Sequence, residues 1–312
     1  MTPGGDGSHM IFMVVVITML VALFAGGMAF WWTRMNAGQK AAAKQSARDT
    51  WIATKKVAAD AAKKRRLKAT SYVQTSRGKK RLAVVDIEIA NVFTLRPGED
   101  LDDHGPFDIS VAATLVHGEA PLLWYSKNDS GSPAHHLTKA DAGRLLKYLD
   151  SLQSSGHALV AWNGLSFDLR WIGHAAGDLP LARKVASNLY DPMFQFFKLK
   201  GFPVGLAKVA KGLGLPGKKL MNGADAPKRW QAGDHQAVFD YVQGDVILTA
   251  EVALAICRAG GVRWVTQRGK VSEVEMQRLR AANQCMRDPM PDQSWMDTPL
   301  PQEKFTAWFH EQ

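Results

Sequence analysis

The sequence predicts a three-layer α/β domain, and three observations carry that prediction. The early apolar runs are short and β-branched, the later ones alternate with stretches of helical period, and turn residues punctuate the boundaries. Residues 81–91 (RLAVVDIEIAN) read as a buried strand. Residues 107–117 and 122–125 give two more strands, parted at Gly118. Residues 138–152 read as an amphipathic helix, with Leu145, Leu146, Leu149 and Leu152 on one side. Another short strand covers 157–162 and ends at Asn163-Gly164, a strong turn signal. Helical segments follow over 167–175, 181–199 and 206–212. A basic, Gly-rich loop fills 213–228, and a long helix spans 235–258.

Composition sets the bounds. A chain of 312 residues allows one generous domain, or two small ones, with appendages. A hydrophobic fraction of 46% supports a packed core and excludes global disorder. Cys257 and Cys285 form no CxxC pair, so neither a zinc knuckle nor a disulfide framework is indicated. The net charge of +10 is unevenly spread. Residues 33–81 hold fifteen Lys and Arg against two Asp, a local +13, which leaves −3 for the rest. The later domain is therefore expected to be slightly acidic, unlike a binder driven by charge alone.

The first 9 residues form a short polar tail. Residues 10–32 contain 23 successive residues without a charge. As a helix they would span about 34 Å, enough for a hydrocarbon core of about 30 Å. Trp31 and Trp32 stand where an interfacial aromatic belt is expected. A cleaved signal peptide fits less well, because positive charge is missing before the run. Arg34, Lys40, Lys44 and Arg48 follow the span, which puts the N-terminus outside and the remainder in the cytoplasm. The expected organisation continues with a basic, Ala- and Lys-rich juxtamembrane helix and linker over 33–80. Its segment 34–70 is suited to anionic lipid headgroups. The globular domain occupies 81–284, and a Pro-containing tail occupies 285–312. In the tail, Trp295, Phe305, Trp308 and Phe309 either dock a partner or pack back on the domain.

Carboxylates carry the chemistry. Asp86 and Glu88 are two apart on a strand, so both point to one face while Val85, Ile87 and Ile89 point to the other. Burying two like charges together is costly unless a cation compensates, and hard divalent ions prefer carboxylate oxygens. Asp-x-Glu alone is weak, since it also occurs at exposed strand edges. Asp168 falls at a helix start just after the Asn163-Gly164 turn, where α/β folds place their sites. An ordinary helix N-terminal Asp reads the same way. Tyr241 and Asp245 lie four apart on the long helix and share a face. Asp240 points elsewhere by about a hundred degrees.

Together and in this order, the motifs resemble the DEDD exonuclease superfamily, in the subgroup with tyrosine in its third motif. Asp86-Ile87-Glu88 matches the first motif, Asn163 through Phe167-Asp168 the second, and Tyr241 through Asp245 the third. The segment 204–215 (VGLAKVAKGLGL) is similar to the family's helix between motifs two and three. WNGLSFD is also similar to the exonuclease motif of family B polymerases. The resemblance covers roughly residues 81–260 and implies a ribonuclease H-like fold, a mixed sheet flanked by helices. It implies 3′→5′ hydrolysis of DNA or RNA with two divalent ions, Mg²⁺ or Mn²⁺, held by Asp86, Glu88, Asp168 and Asp245. Tyr241 is then a positioner of the attacking water. Asn163 braces the turn or touches substrate, and Phe167 is core or packs near the terminal base. Lys218 and Lys219 contact phosphates or lie in a solvated loop. Ile89 departs from the threonine often found after the glutamate in this family.

Two rival functions share these carboxylates: a degenerate domain that binds nucleic-acid ends as a membrane scaffold, and a ribonuclease H-type endonuclease. The Tyr-x(3)-Asp helix favours the exonuclease. His135, His136, His157 and His174 read as surface or structural residues.

Overall fold

The computed structural model describes residue 45 and residues 71–96, 98–216 and 221–311. The segments expected to span the membrane and, apart from residue 45, to bind lipid lie outside the described residues, as do Lys218 and Lys219. The chain divides into Met1–Arg65 and Arg66–Gln312. Among the described residues no helix is long and apolar enough to cross a membrane.

The sheet is built on one long strand. β1 (Tyr72–Thr75) turns into β2 (Gly78–Ile89), which pairs antiparallel with β3 (Ile109–Val116), and β3 pairs with β4 (Leu122–Trp124). β5 (Ala158–Val160) adds parallel to Leu82–Val84 of β2. A mixed sheet results, consistent with the ribonuclease H-like architecture. The helices in order are α1 (Lys139–Ser154), α2 (Asp168–Ala176), α3 (Leu179–Ser187), α4 (Pro192–Lys200), α5 (Leu206–Gly212), α6 (Ala226–Gln231) and α7 (His235–Ala259). A hairpin of β6 (Gly261–Val265) and β7 (Val271–Glu275) follows, then the short turns α8 (Ala282–Cys285) and α9 (Glu303–Thr306).

Strand alternation separates two cores. Ala83, Val85, Ile87 and Ile89 face one apolar layer, with Leu145, Leu149, Trp171, Ile172 and Phe194. Leu82 and Val84 face the other, with Val238, Val242, Val246 and Val252 of α7. By the same period Asp86 and Glu88 continue the α7-facing row. Helices on both faces of one sheet make the expected three layers.

Several expectations need correction. Residues 71–80 are not a linker: β1 pairs with the first residues of β2, with Val73 buried. Propensity alone does not reveal this, because Lys79, Lys80 and Arg81 lie on the outer part of the hairpin. Moving the boundary brings three cations, Arg77, Lys79 and Lys80, into the globular part, whose residues 71–312 hold 28 Lys and Arg against 26 Asp and Glu. It is slightly basic rather than acidic. The single helical segment expected over 181–199 is two helices, because Asp191-Pro192 starts a new one. The loop expected over 213–228 contains the start of α6. The hairpin β6–β7 was not foreseen. The tail is irregular up to residue 302 and then packs back through Phe305 and Trp308, both buried.

Candidate active site

Three elements converge on one cavity of about 320 Å³. β2 contributes Asp86 and Glu88, α7 contributes Tyr241 and Asp245, and the start of α2 contributes Asp168. Asp86, Glu88 and Asp245 each offer a carboxylate oxygen, and these oxygens lie within 4.8 Å of one another. Glu88 and Asp245 are buried, at 8% and 5% exposure, and Asp86 is half-buried. The donor set is all carboxylate oxygen, which fits a hard divalent cation rather than a thiophilic one.

A register shift sits at the site. β2 and β3 pair regularly to Glu88↔Val111, and the register slips before Ile89↔Ile109. The Ser110 hydroxyl ties the irregularity down by donating to the Glu88 carbonyl (2.9 Å). Such shifts re-aim side chains and are frequent beside active sites.

Asp168 lines the same cavity but stands apart from the trio of carboxylates. Its Oδ1 accepts the Ile87 backbone N–H at 3.0 Å, beyond the last pair that β5 makes with β2. The carboxylate thus takes a backbone donor on an edge that the sheet leaves open. Burial, and then the negative charge of Asp191, push the Asp168 carboxyl up to about 7. A cation at the neighbouring carboxylates would draw it back down.

Asp191 was not singled out from the sequence, yet it organises the second motif. It is buried at 2% exposure, and its two oxygens accept N–H groups from Asn163, Leu165, Met193 and Phe194 at 3.0–3.2 Å. One carboxylate therefore caps α4 and holds the Asn163-Gly164 turn. Burial raises its carboxyl to about 6, while the four donors pull the other way. The Asp-Pro pair at a helix start was the available signal. Asn163 has φ +69°, a left-handed conformation that Asn tolerates better than most residues. Its backbone braces the turn, and its side chain lines the cavity.

Tyr241 is 1% exposed and donates a hydrogen bond to Asp245. Burial pushes the phenol well above its ordinary range, and the charges of Glu88, Asp245 and Asp86 add to the shift. It remains protonated at any working pH, so it is a hydrogen-bond donor and not a base. Gly223 lies beside the hydroxyl: a Cβ there would meet the Tyr241 oxygen at 3.5 Å, an ordinary contact. Asp240 is exposed and paired with Gln236, away from the site. His135 and His136 are exposed, and His174 pairs with Glu311 in the tail.

The apolar side of the cavity comes from Phe93, Leu95 and Leu101, in a loop whose sequence gave no functional signal, with Phe167 and Trp162. Phe167 packs near Phe107 and Trp171 (ring centroids 6.0 and 6.5 Å), so it is wall and core at once.

Residues 183–286 match a family described as "Predicted 3'-5' exonuclease related to the exonuclease domain of PolB". The match covers 104 of 312 residues. It includes Asp191, Tyr241 and Asp245 and excludes Asp86, Glu88 and Asp168. No curated protein matches the chain in sequence. Among solved structures it is similar to the family B DNA polymerase of the hyperthermophilic archaeon Pyrobaculum calidifontis, with 14% identity and a TM-score of 0.39. That likeness covers 58% of this chain and 24% of the polymerase, so the chain spans about a quarter of the polymerase's length. The chain thus carries a region related to predicted exonucleases, of the nuclease hydrolase type.

Proposed function

We propose that the protein is a divalent-metal-dependent 3′→5′ exonuclease of the tyrosine-containing DEDD subgroup. The observation that carries this reading is the trio Asp86, Glu88 and Asp245 within 4.8 Å at the floor of a cavity with one apolar side. Asp86, Glu88 and Asp245 would hold one ion, and Asp86 with Asp168 the second. Bound there, such ions supply Lewis-acid stabilisation of the phosphodiester and a hydrolytic water of lowered pKa. The chain's own residues do the rest. Tyr241 holds its proton and orients the water through its hydroxyl. Asp168, fixed to the Ile87 N–H, is kept in place as charge develops. Phe93, Leu95, Leu101 and Phe167 offer an apolar face to a terminal base and exclude bulk water around the carboxylates. A cavity of this size suits a strand end better than a continuous duplex, which favours an exonuclease over an endonuclease.

The membrane anchor over 10–32 stays within this proposal, supported by its 23 uncharged residues. It places the catalytic domain on the cytoplasmic side. Carbonate extraction of membranes tests it: release of the full chain into the supernatant would remove the anchor.

The activity test uses the full chain and 5′-labelled single strands of DNA and RNA, with Mg²⁺, Mn²⁺ or chelator. A ladder of shortening products that vanishes in chelator is expected, whereas a closed circular strand should be untouched. Cutting of the circle would replace the exonuclease with the endonuclease. Binding without turnover under either metal would replace it with the end-binding scaffold.

A further inference from the structure

A groove leads away from the carboxylates, and we propose that it holds the upstream nucleotides of a single-stranded substrate on a basic aromatic platform at Trp295. The direction of the strand rests on the exonuclease reading above. The carboxylate cavity shares Leu101, Trp162, Asn163 and Phe167 with a second hollow of about 540 Å³. That hollow in turn shares Pro203 and Val204 with a third, of about 550 Å³. A chain whose end sits at Asp86 and Glu88 can therefore pass from one hollow to the next.

The second hollow is a passage rather than an anchor. Its floor includes Met193, Leu300 and Phe305, and its one lysine, Lys304, is engaged by Asp100 and Asp102. The third hollow has the chemistry of an anchor. Lys208, Arg268 and Lys270 line it, all exposed, and form no ion pair among the described residues. No carboxylate lines it among the described residues. Trp295 stands beside them at 62% exposure, the most exposed large apolar side chain described.

Trp295 is held, not merely stranded. Its ring meets Phe202 edge to face at 5.8 Å, and Phe202 meets the buried Trp264 at 6.3 Å. Its indole N–H donates to the Asp292 carbonyl at 3.2 Å. Two residues before it, Gln293 donates to the carbonyls of Gly201 and Leu300 at 2.7 and 2.9 Å, pinning the tail. Across the hollow, the β6–β7 turn is closed by Thr266 N–H to Lys270 carbonyl at 2.8 Å. Gly212 lets α5 lie against this hairpin, since a Cβ there would come within 2.5 Å of the Arg263 carbonyl. A flat, prefixed aromatic face beside unpaired cations matches alternating bases and phosphates. In a duplex the base faces are stacked on one another and unavailable, so the occupant is unpaired strand. An acidic protein segment would satisfy the cations but leave the indole face unused.

The test compares the full chain with Trp295→Ala and with Arg268→Glu/Lys270→Glu, all exposed positions. Binding of a labelled single strand of about 12 nucleotides is measured by anisotropy in chelator, and turnover of a dinucleotide is measured with Mg²⁺. Trp295→Ala should weaken the longer strand by about 5- to 150-fold. The double charge reversal should lower the slope of log affinity against log salt by at least about 1.4. Dinucleotide turnover, and binding of a blunt duplex, should match wild type in both variants. Wild-type affinity for the single strand in both variants overturns the platform, even if turnover is intact. Absent turnover in wild type, with binding still weakened by both variants, overturns the exonuclease and leaves the platform standing.

Discussion

Asp245→Asn should stabilise the metal-free protein and abolish the extra stability that Mg²⁺ gives the wild type. The ligand oxygens of Asp86, Glu88 and Asp245 lie within 4.8 Å of one another. Two unit charges at that distance repel by about 3.5 kcal/mol at an effective dielectric constant of about 20. Asp86 is half-buried, so water and salt screen its share, and a net gain of about 1–3 kcal/mol is the working figure. Asn keeps the shape of Asp and an oxygen to accept the Tyr241 hydrogen bond, so the packing of α7 is undisturbed. For a domain of this size each kcal/mol moves Tm by about 2–4 °C, so the metal-free variant should melt about 2–12 °C above metal-free wild type. Metal works against that order. A ligand at about 100 times its Kd adds about 2.7 kcal/mol to a protein that binds it, about 5–11 °C here. The variant, lacking one of three clustered carboxylates, should gain little. Scanning calorimetry of both full chains in EDTA and along a Mg²⁺ or Mn²⁺ titration reads both effects. Wild type melting at or above the variant in EDTA would refute the repulsion. An equal rise for both chains with metal would refute the ligand set.

The other expectations rest on single groups. Asp86→Ala should lower hydrolysis by at least about 100-fold, some 2.7 kcal/mol of transition-state stabilisation, with the circular dichroism spectrum unchanged; wild-type rates would sink the site assignment. Tyr241→Phe should lower kcat by about 10- to 100-fold at unchanged metal affinity, because it removes one hydroxyl that positions water; an unchanged kcat would take Tyr241 out of the reaction. The pH dependence follows from Asp168, whose folded carboxyl sits near about 7 against an ordinary 3.8. A raised carboxyl binds its proton more tightly when folded, so this group favours the folded chain below about pH 4. That contribution is lost as pH rises towards 7. In EDTA the Tm of wild type should therefore fall across that window relative to Asp168→Asn, which carries no such proton; parallel curves would remove the effect.

Legibility in the sequence followed the strength of the local signals. The strand period placed Asp86 and Glu88 together on the face opposite Val85 and Ile87, because alternation is a property of the backbone alone. Helical spacing likewise put Tyr241 and Asp245 on one face and Asp240 on another. Asp191 was hidden because its work is done through backbone N–H groups 26 and 28 residues earlier, and no spacing rule reaches across a loop. The β1 hairpin was hidden because its cations imitate the basic segment before it. The wall of Phe93, Leu95 and Leu101 was hidden because it comes from irregular chain and the start of one short 3-10 turn (Leu101–His104), which carry no periodic pattern.

That pattern bears on how the site is held. The family match covers the half that holds Tyr241 and Asp245, while Asp86, Glu88 and Asp168 lie before it in the chain. Of the ties at the site, one joins the halves: Asp191 from the matched half clamps the turn that aims Asp168. Asp168 is bonded to the backbone of β2 within the earlier half, and the Tyr241 hydroxyl to Asp245 within the matched one. Asp191 touches none of the trio, yet it fixes both ends of the segment that delivers the fourth carboxylate. A single buried carboxylate with four backbone donors has no good substitute: Asn would turn an amide donor towards N–H groups and leave some of them unmet. The position of Asp168 thus depends on a residue that chemistry at the cavity does not reach, and a search confined to cavity-lining carboxylates would miss it.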